Sequence, residues 1–198
     1  MTLEHQPDGG QPSRRTAAKI YPDMWVDPDD DPREGLDEGT GEKAVLAAYL
    51  DRYRMTFEMK CEGLDSEQLA RRSAAPSTMS LLGLVRHLAG VEHSWFRRFI
   101  EWQQNLPRLY KSPDDRDLDF NDAVADDHVV AEAWETWRGE VAHAREVYGR
   151  LDDLGALVGP EDNRAEVRDV VVHMIEEYAR HCGHADLLRE RIDGRVGQ

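Results

Sequence analysis

The segment LLGLVRHLAGVEHSWFRRFIEW, residues 81–102, decides the fold class. Leu84, Val85, Leu88 and Val91 recur at the spacing that gathers side chains onto one face of an α-helix. It is the most apolar of the chain's helical segments, so it belongs against a core. One ring is out of place there: His87, a polar group among Leu84, Val85, Leu88 and Val91.

Working outward, EKAVLAAYLDRYRMTFEMKCEGL (42–64) carries a second stripe of Val45, Leu46, Tyr49, Leu50, Tyr53 and Phe57, with Gly63 as a stop. SAAPSTMS (73–80) breaks the chain and offers Ser77 or Thr78 as an N-cap for the apolar helix. Beyond that helix, Pro107, Pro113 and DDRDLDFNDAVADD (114–127) make a long polar connection, of a kind usually functional or flexible. A third helix is expected over HVVAEAWETWRGEVAHAREVYGRL (128–151), burying Val130, Trp134, Trp137, Val141 and Val147, and a fourth over about 163–192. No stretch alternates at period two, so no sheet is expected. Four such helices around one core predict an all-α four-helix bundle, with the long second link leaving its topology open.

Composition narrows the partners. The 198 residues hold 25 Lys plus Arg against 40 Asp plus Glu, a formal charge of −15 that repels phosphate backbones and anionic lipid. Nucleic acid is not expected as a partner. No apolar run is long enough to span a membrane and no secretory leader is visible, which predicts a cytoplasmic protein. Cys61 and Cys182 make no disulfide framework and no CxxC pair, so both are read as free thiols. Residues 1–40, rich in Pro and Gly and carrying the acidic run DPDDDPREGLDEGTGE, predict an extension that is disordered or strapped onto the body formed by 41–198. Within it, IYPDMWV (20–26) is an aromatic cluster that either docks or stays free.

The last helix contains VVHMIEEYARHCGHADLLRERIDG, residues 171–194. At about 100° per residue, positions 173, 177, 181 and 184 fall within a sector of roughly 80°, so His173, Glu177, His181 and His184 share one face. Glu177 and His181 have the i, i+4 spacing that lets two side chains converge on one ion. A third ligand must then come from another helix, and His87 is the candidate. On spacing alone both readings stand, a metal site and a solvated acidic face with a satisfied core histidine.

PSTMSLLGLVRHLAGVEHSWFRR (76–98) and HMIEEYARHCGHADLLRERIDG (173–194), with GEKAVLAAYLDRYRMTFEMKCEGLDSEQLARRS (41–73), resemble the actinobacterial mini-circle protein branch of the DinB-like superfamily, over roughly residues 40–195. The resemblance implies a four-helix bundle in an up-down-down-up arrangement, with a divalent metal held by one ligand from the second helix and an i, i+4 pair from the last. Those ligands match His87, Glu177 and His181. Glu177 stands where many DinB-like proteins have histidine, a departure similar to the His, Glu, His zinc triad of the mycothiol-dependent maleylpyruvate isomerases. One carboxylate in the triad suits zinc at least as well as a nickel-type set of three imidazoles. The neighbouring CGH, where other members have RGQ, makes Cys182 and His184 further departures.

Three protein ligands leave positions open, as in catalytic zinc sites, and a thiol placed there is favoured as thiolate. The resemblance therefore implies a metal-dependent thiol S-transferase that uses a low-molecular-weight thiol of the mycothiol type on a small electrophile. Arg86, Tyr178, His173 and His184 are the further residues expected at the pocket or behind the ligands. A metal-dependent hydrolase or isomerase, and a non-enzymatic binding or stress protein with a metal tying two helices together, are the alternatives. Whether the protein forms a homodimer is left open.

Overall fold

A computed structural model describes residues 12–21, 23–36 and 39–198, so the expectations for residues 1–11 lie outside the described residues. Among the described residues six α-helices follow in chain order: α1 (Glu42–Cys61), α2 (Ser66–Ala70), α3 (Leu81–Glu92), α4 (Leu118–Asn121), α5 (Asp127–Arg150) and α6 (Val167–Asp193). The chain is all-α in class, since the only strands among the described residues are β1 (Leu157–Val158) and β2 (Ala165–Glu166), two residues each and antiparallel. That hairpin corrects two expectations: a scrap of sheet exists, and α6 starts at Val167 rather than near 163.

Local chemistry sets the helix ends. Ser80, not Ser77 or Thr78, caps α3, its hydroxyl accepting from the Gly83 amide. Asp126 does the same for α5, accepting from His128 and Val129. α3 continues from His93 to Ile100 as a π-helical segment, whose wider turn shifts the phase of the following side chains. α6 ends at Gly194, where φ is +78° and an added Cβ would lie 2.1 Å from the Ser13 carbonyl oxygen.

The relative directions of the four long helices follow from their contacts. Arg168 meets Glu42 near the starts of α6 and α1, and Lys60 meets Asp186 near their ends, so these two run parallel. Arg97 reaches Glu140 and Arg150 reaches Glu101, which makes the α3 segment and α5 parallel. Arg138–Glu58 and Arg145–Asp51 set α5 antiparallel to α1. The result is the up-down-down-up bundle of the DinB-like fold. Its core gathers Leu50, Phe57, Leu84, Leu88, Trp137, Val141, Met174 and Leu188. Val45 and Tyr49 depart from the expected stripe: they are 41% and 55% exposed, while Leu50 and Phe57 face inward.

Beneath the core apolar layer lies a buried polar chain. Arg54 donates to both carboxylate oxygens of Glu92 at 2.8 and 2.7 Å. The Tyr178 hydroxyl donates to Glu92 Oε1 at 2.8 Å and accepts from Trp137 Nε1 at 2.9 Å. Glu92 is fully buried and satisfied on both oxygens, which is what makes a charge tolerable there.

The two ends of the described chain meet. Arg15 donates to the Gly194 carbonyl and accepts from Val196, both at 2.8 Å, and Trp25 donates to the Gln198 carbonyl at 2.9 Å. The Trp25 indole is 1% exposed, with Arg195, Lys60 and Arg189 over it at 3.8, 4.1 and 5.4 Å. Ile20 and Tyr21 of the same cluster are 67% and 50% exposed. Trp25→Ala should therefore lower unfolding free energy by about 3–5 kcal/mol in urea titration, and a loss below about 1 kcal/mol would show that the indole adds little. No helix among the described residues is long and apolar enough to cross a membrane.

Candidate metal centre

α3 and α6 run antiparallel, and this brings His87 opposite Glu177 and His181. The three offer ligand atoms that lie within 4.8 Å of one another. Glu177 Oε2 is 3.5 Å from His181 Nε2 and 4.0 Å from His87 Nε2. Ligands about 2.1 Å from a tetrahedral zinc ion sit about 3.4 Å apart, so the three atoms, spread over up to 4.8 Å, would close by up to about 1.4 Å around an ion. Chemically the set is two imidazoles and one carboxylate, a donor set that zinc accepts.

The surrounding bonds orient the donors. His87 Nδ1 lies 2.9 Å from Asp119 Oδ2, a partner that can only accept, so Nδ1 carries a proton and Nε2 is the nitrogen turned to Glu177 and His181. Asp119 is itself 1% exposed and accepts from Lys111 at 2.7 Å. His181 has its Nδ1 3.2 Å from Nδ1 of His184. His184 thus partners the nitrogen facing away from Glu177. Burial, with His181 and Arg180 nearby, holds His184 below the ordinary imidazole range, which leaves it a lone pair to accept with. Glu177 is held well below the usual carboxylate range by its contacts with His181 and His87. For His87, burial opposes the charged form, but the bonds to Asp119 and Glu177 outweigh it and raise the value.

Against this geometry the known proteins can be set. The family model for mycothiol-S-transferase matches residues 45–194. The chain belongs to the mycothiol-S-transferase family. That family implies a small-molecule thiol as cosubstrate. Among solved structures, a conserved protein from Enterococcus faecalis is 16% identical, with a TM-score of 0.54 over 78% of this chain and 98% of that one, a likeness of fold. None of the curated proteins matches this chain.

The remaining expected residues divide. His173 sits at the edge, 38% exposed, with Nε2 3.6 Å from Glu177 Oε1 and its ring against Trp95 at 4.7 Å. Tyr178 does not join the pocket: it is fully buried and bonded to Glu92 and Trp137 in the core. Arg86 also turns away, donating to the Leu118 carbonyl at 3.1 Å and lying 4.3 Å from the Tyr110 ring. Both were expected at the site and are displaced because Arg86 lies one residue, about 100°, from His87 and Tyr178 the same from Glu177. A cleft of about 170 Å³ opens beside His87, lined by Gly90, Val91, Trp95, Arg108 and Lys111 among others. Larger cavities, of about 590, 570 and 330 Å³, are lined by none of the three.

Asp119 went unread in the sequence. It lies in an acidic connection where nothing but its flanks, Leu118 and Phe120, marks it from its neighbours. Those flanks tuck α4 against α3, with the Phe120 ring stacked on His87 at 5.6 Å. Asp119→Ala should weaken metal affinity about 10–100-fold in chelator competition while His87 remains present. Unchanged affinity would show that the Asp119 bond does not orient the ligand.

Proposed function

We propose that the protein is a metal-dependent thiol S-transferase, with His87, Glu177 and His181 holding a divalent metal, zinc by preference. The observation that carries this reading is the convergence of three donors whose free nitrogen on His87 is selected by Asp119. When bound, such a metal would supply Lewis acidity that favours the thiolate form of a low-molecular-weight thiol of the mycothiol type. The chain's own thiols are poor nucleophiles: burial pushes Cys182 up to about 12 and Cys61 higher still. The thiol of the proposed transfer is therefore an exogenous one.

In the transfer, the thiol sulfur forms a bond to an electrophilic carbon, and its proton leaves with the displaced group or adds to the adjacent carbon. His173, at the rim 3.6 Å from Glu177, would relay that proton from the thiol to the leaving group or the adjacent carbon. Trp95 walls the cleft beside His87, and Lys111 is neutralised by Asp119. Incubation with mycothiol and a halogenated aromatic electrophile should give thioether, with turnover lost on chelation and restored by zinc. Turnover that survives chelation would remove the metal from the reaction. Ester cleavage without thiol would point to hydrolysis instead.

A further inference from the structure

We infer that the cleft between the N-terminal half of α1 and the C-terminal end of α5 is a second binding site, for a small amphipathic monoanion with an aromatic or short acyl body. Its origin is a mismatch in side-chain size along two antiparallel helices. At one end Phe57 packs against Trp134 and Trp137, with ring centroids 6.4 and 6.3 Å apart, and holds α1 and α5 separated. Toward the other end the facing residues are Ala44, Ala47 and Ala144, too short to fill the gap. What remains is a cavity of about 570 Å³ floored by Leu50 and Phe96. That volume lies within the roughly 300–1,000 Å³ typical of small-molecule sites. Solvent in such a cleft leaves apolar wall exposed, so an apolar body of matching size gains by displacing it.

The polar groups around this wall define the ligand's charge. Lys43, Arg54 and Arg145 line the cleft, against one lining carboxylate, Asp51. The Arg54 guanidinium is taken up by Glu92 and Asp51, with Nε, Nη1 and Nη2 each donating to a carboxylate. Arg145 uses only its Nε on Asp51, at 3.0 and 3.2 Å, and stays 51% exposed at the rim. Lys43 donates to the Gly149 carbonyl at 3.1 Å, lies 4.0 Å from the fully exposed carboxylate of Asp152, and keeps two further donors. With Glu92 offsetting Arg54, the lining residues carry about one unit of excess positive charge on a chain whose formal charge is −15, and Asp152, the further carboxylate near Lys43, stands outside the lining in solvent. Tyr148 closes the side with its hydroxyl donating to the Lys43 carbonyl, and burial raises its value to about 12, so it adds no anion. A single carboxylate or sulfonate held by Lys43 and Arg145, with its body against Ala47, Leu50, Phe96 and Ala144, satisfies both requirements. None of these residues belongs to the metal cluster.

Calorimetric titration of the full chain with 4-phenylbutyrate, 4-phenylbutan-1-ol and 4-phenylbutylamine tests this. The acid should bind once per chain and at least about tenfold more tightly than the alcohol, the amine more weakly again. Ala47→Trp and Ala144→Phe, each checked for helical content, should each reduce acid affinity at least about tenfold by filling the cleft. Acid binding should persist in His181→Ala. No acid binding up to millimolar concentration overturns the site, and equal affinity for acid and alcohol overturns the charge assignment. Unchanged affinity in whichever filling variants fold, or loss of binding in His181→Ala, places the acid elsewhere and overturns the proposal.

Discussion

His181→Ala is expected to strip the protein of metal, from about one zinc per chain to a background level, when tag-free protein is purified without chelator and assayed by elemental analysis. The expectation rests on geometry. His181 Nε2 lies 3.5 Å from Glu177 Oε2, and the same ring makes an edge contact with His87 at 4.7 Å, so it is the donor that joins the other two. Without it, one imidazole and one carboxylate remain, on different helices, and a two-ligand site competes poorly with water. His87→Ala should behave alike. His173→Ala should retain metal, because His173 touches Glu177 through the other oxygen, Oε1. Full occupancy in His181→Ala would refute the assigned triad; loss in His173→Ala as well would show that the rim histidine is a ligand.

A loss of stability as large as that for Trp25→Ala is expected from Glu92→Leu. This change removes the carboxylate that accepts two hydrogen bonds from Arg54 and one from Tyr178, and leaves a guanidinium 3% exposed with Asp51 as its remaining partner. Breaking a buried pair from one side costs about 3–5 kcal/mol, most of it the desolvation of the abandoned charge. The Arg54→Met, Glu92→Leu double variant should recover much of that loss, since replacing both partners by apolar groups is often neutral. Urea titration of both variants reads the comparison. An equal loss in single and double variants would assign the cost to packing around Tyr178 rather than to the charge.

Much of this structure was legible beforehand, and the exceptions have physical causes. The α3 and α6 segments carry one strong apolar stripe each, and the shared face of Glu177 and His181 follows from helical geometry alone. α1 is harder because apolar residues lie on two of its faces. Val45 and Tyr49 satisfy the periodic pattern as well as Leu50 and Phe57 do, and only the placement of α5 and α6 decides which set is buried. Asp119 is invisible for a different reason. Its importance comes from where α4 lands, a tertiary outcome, and an acidic connection offers several equivalent candidates. Tyr178 and Arg86 could have been excluded by the same wheel that grouped the histidines, since a neighbour in sequence is turned about 100° away.

The pairing of α1 with α6 has a bearing on how the chain is made. These helices begin and end the bundle, at Glu42–Cys61 and Val167–Asp193, yet they pack side by side. On the ribosome, α1 emerges long before its neighbour exists, and α3 emerges with His87 before either donor of α6 has been translated. The apolar flank of α1 must wait exposed or be shielded by a chaperone, and contacts so distant in sequence make for slow closure. A metal held jointly by His87, Glu177 and His181 would therefore be captured only after the last helix has left the exit tunnel and docked.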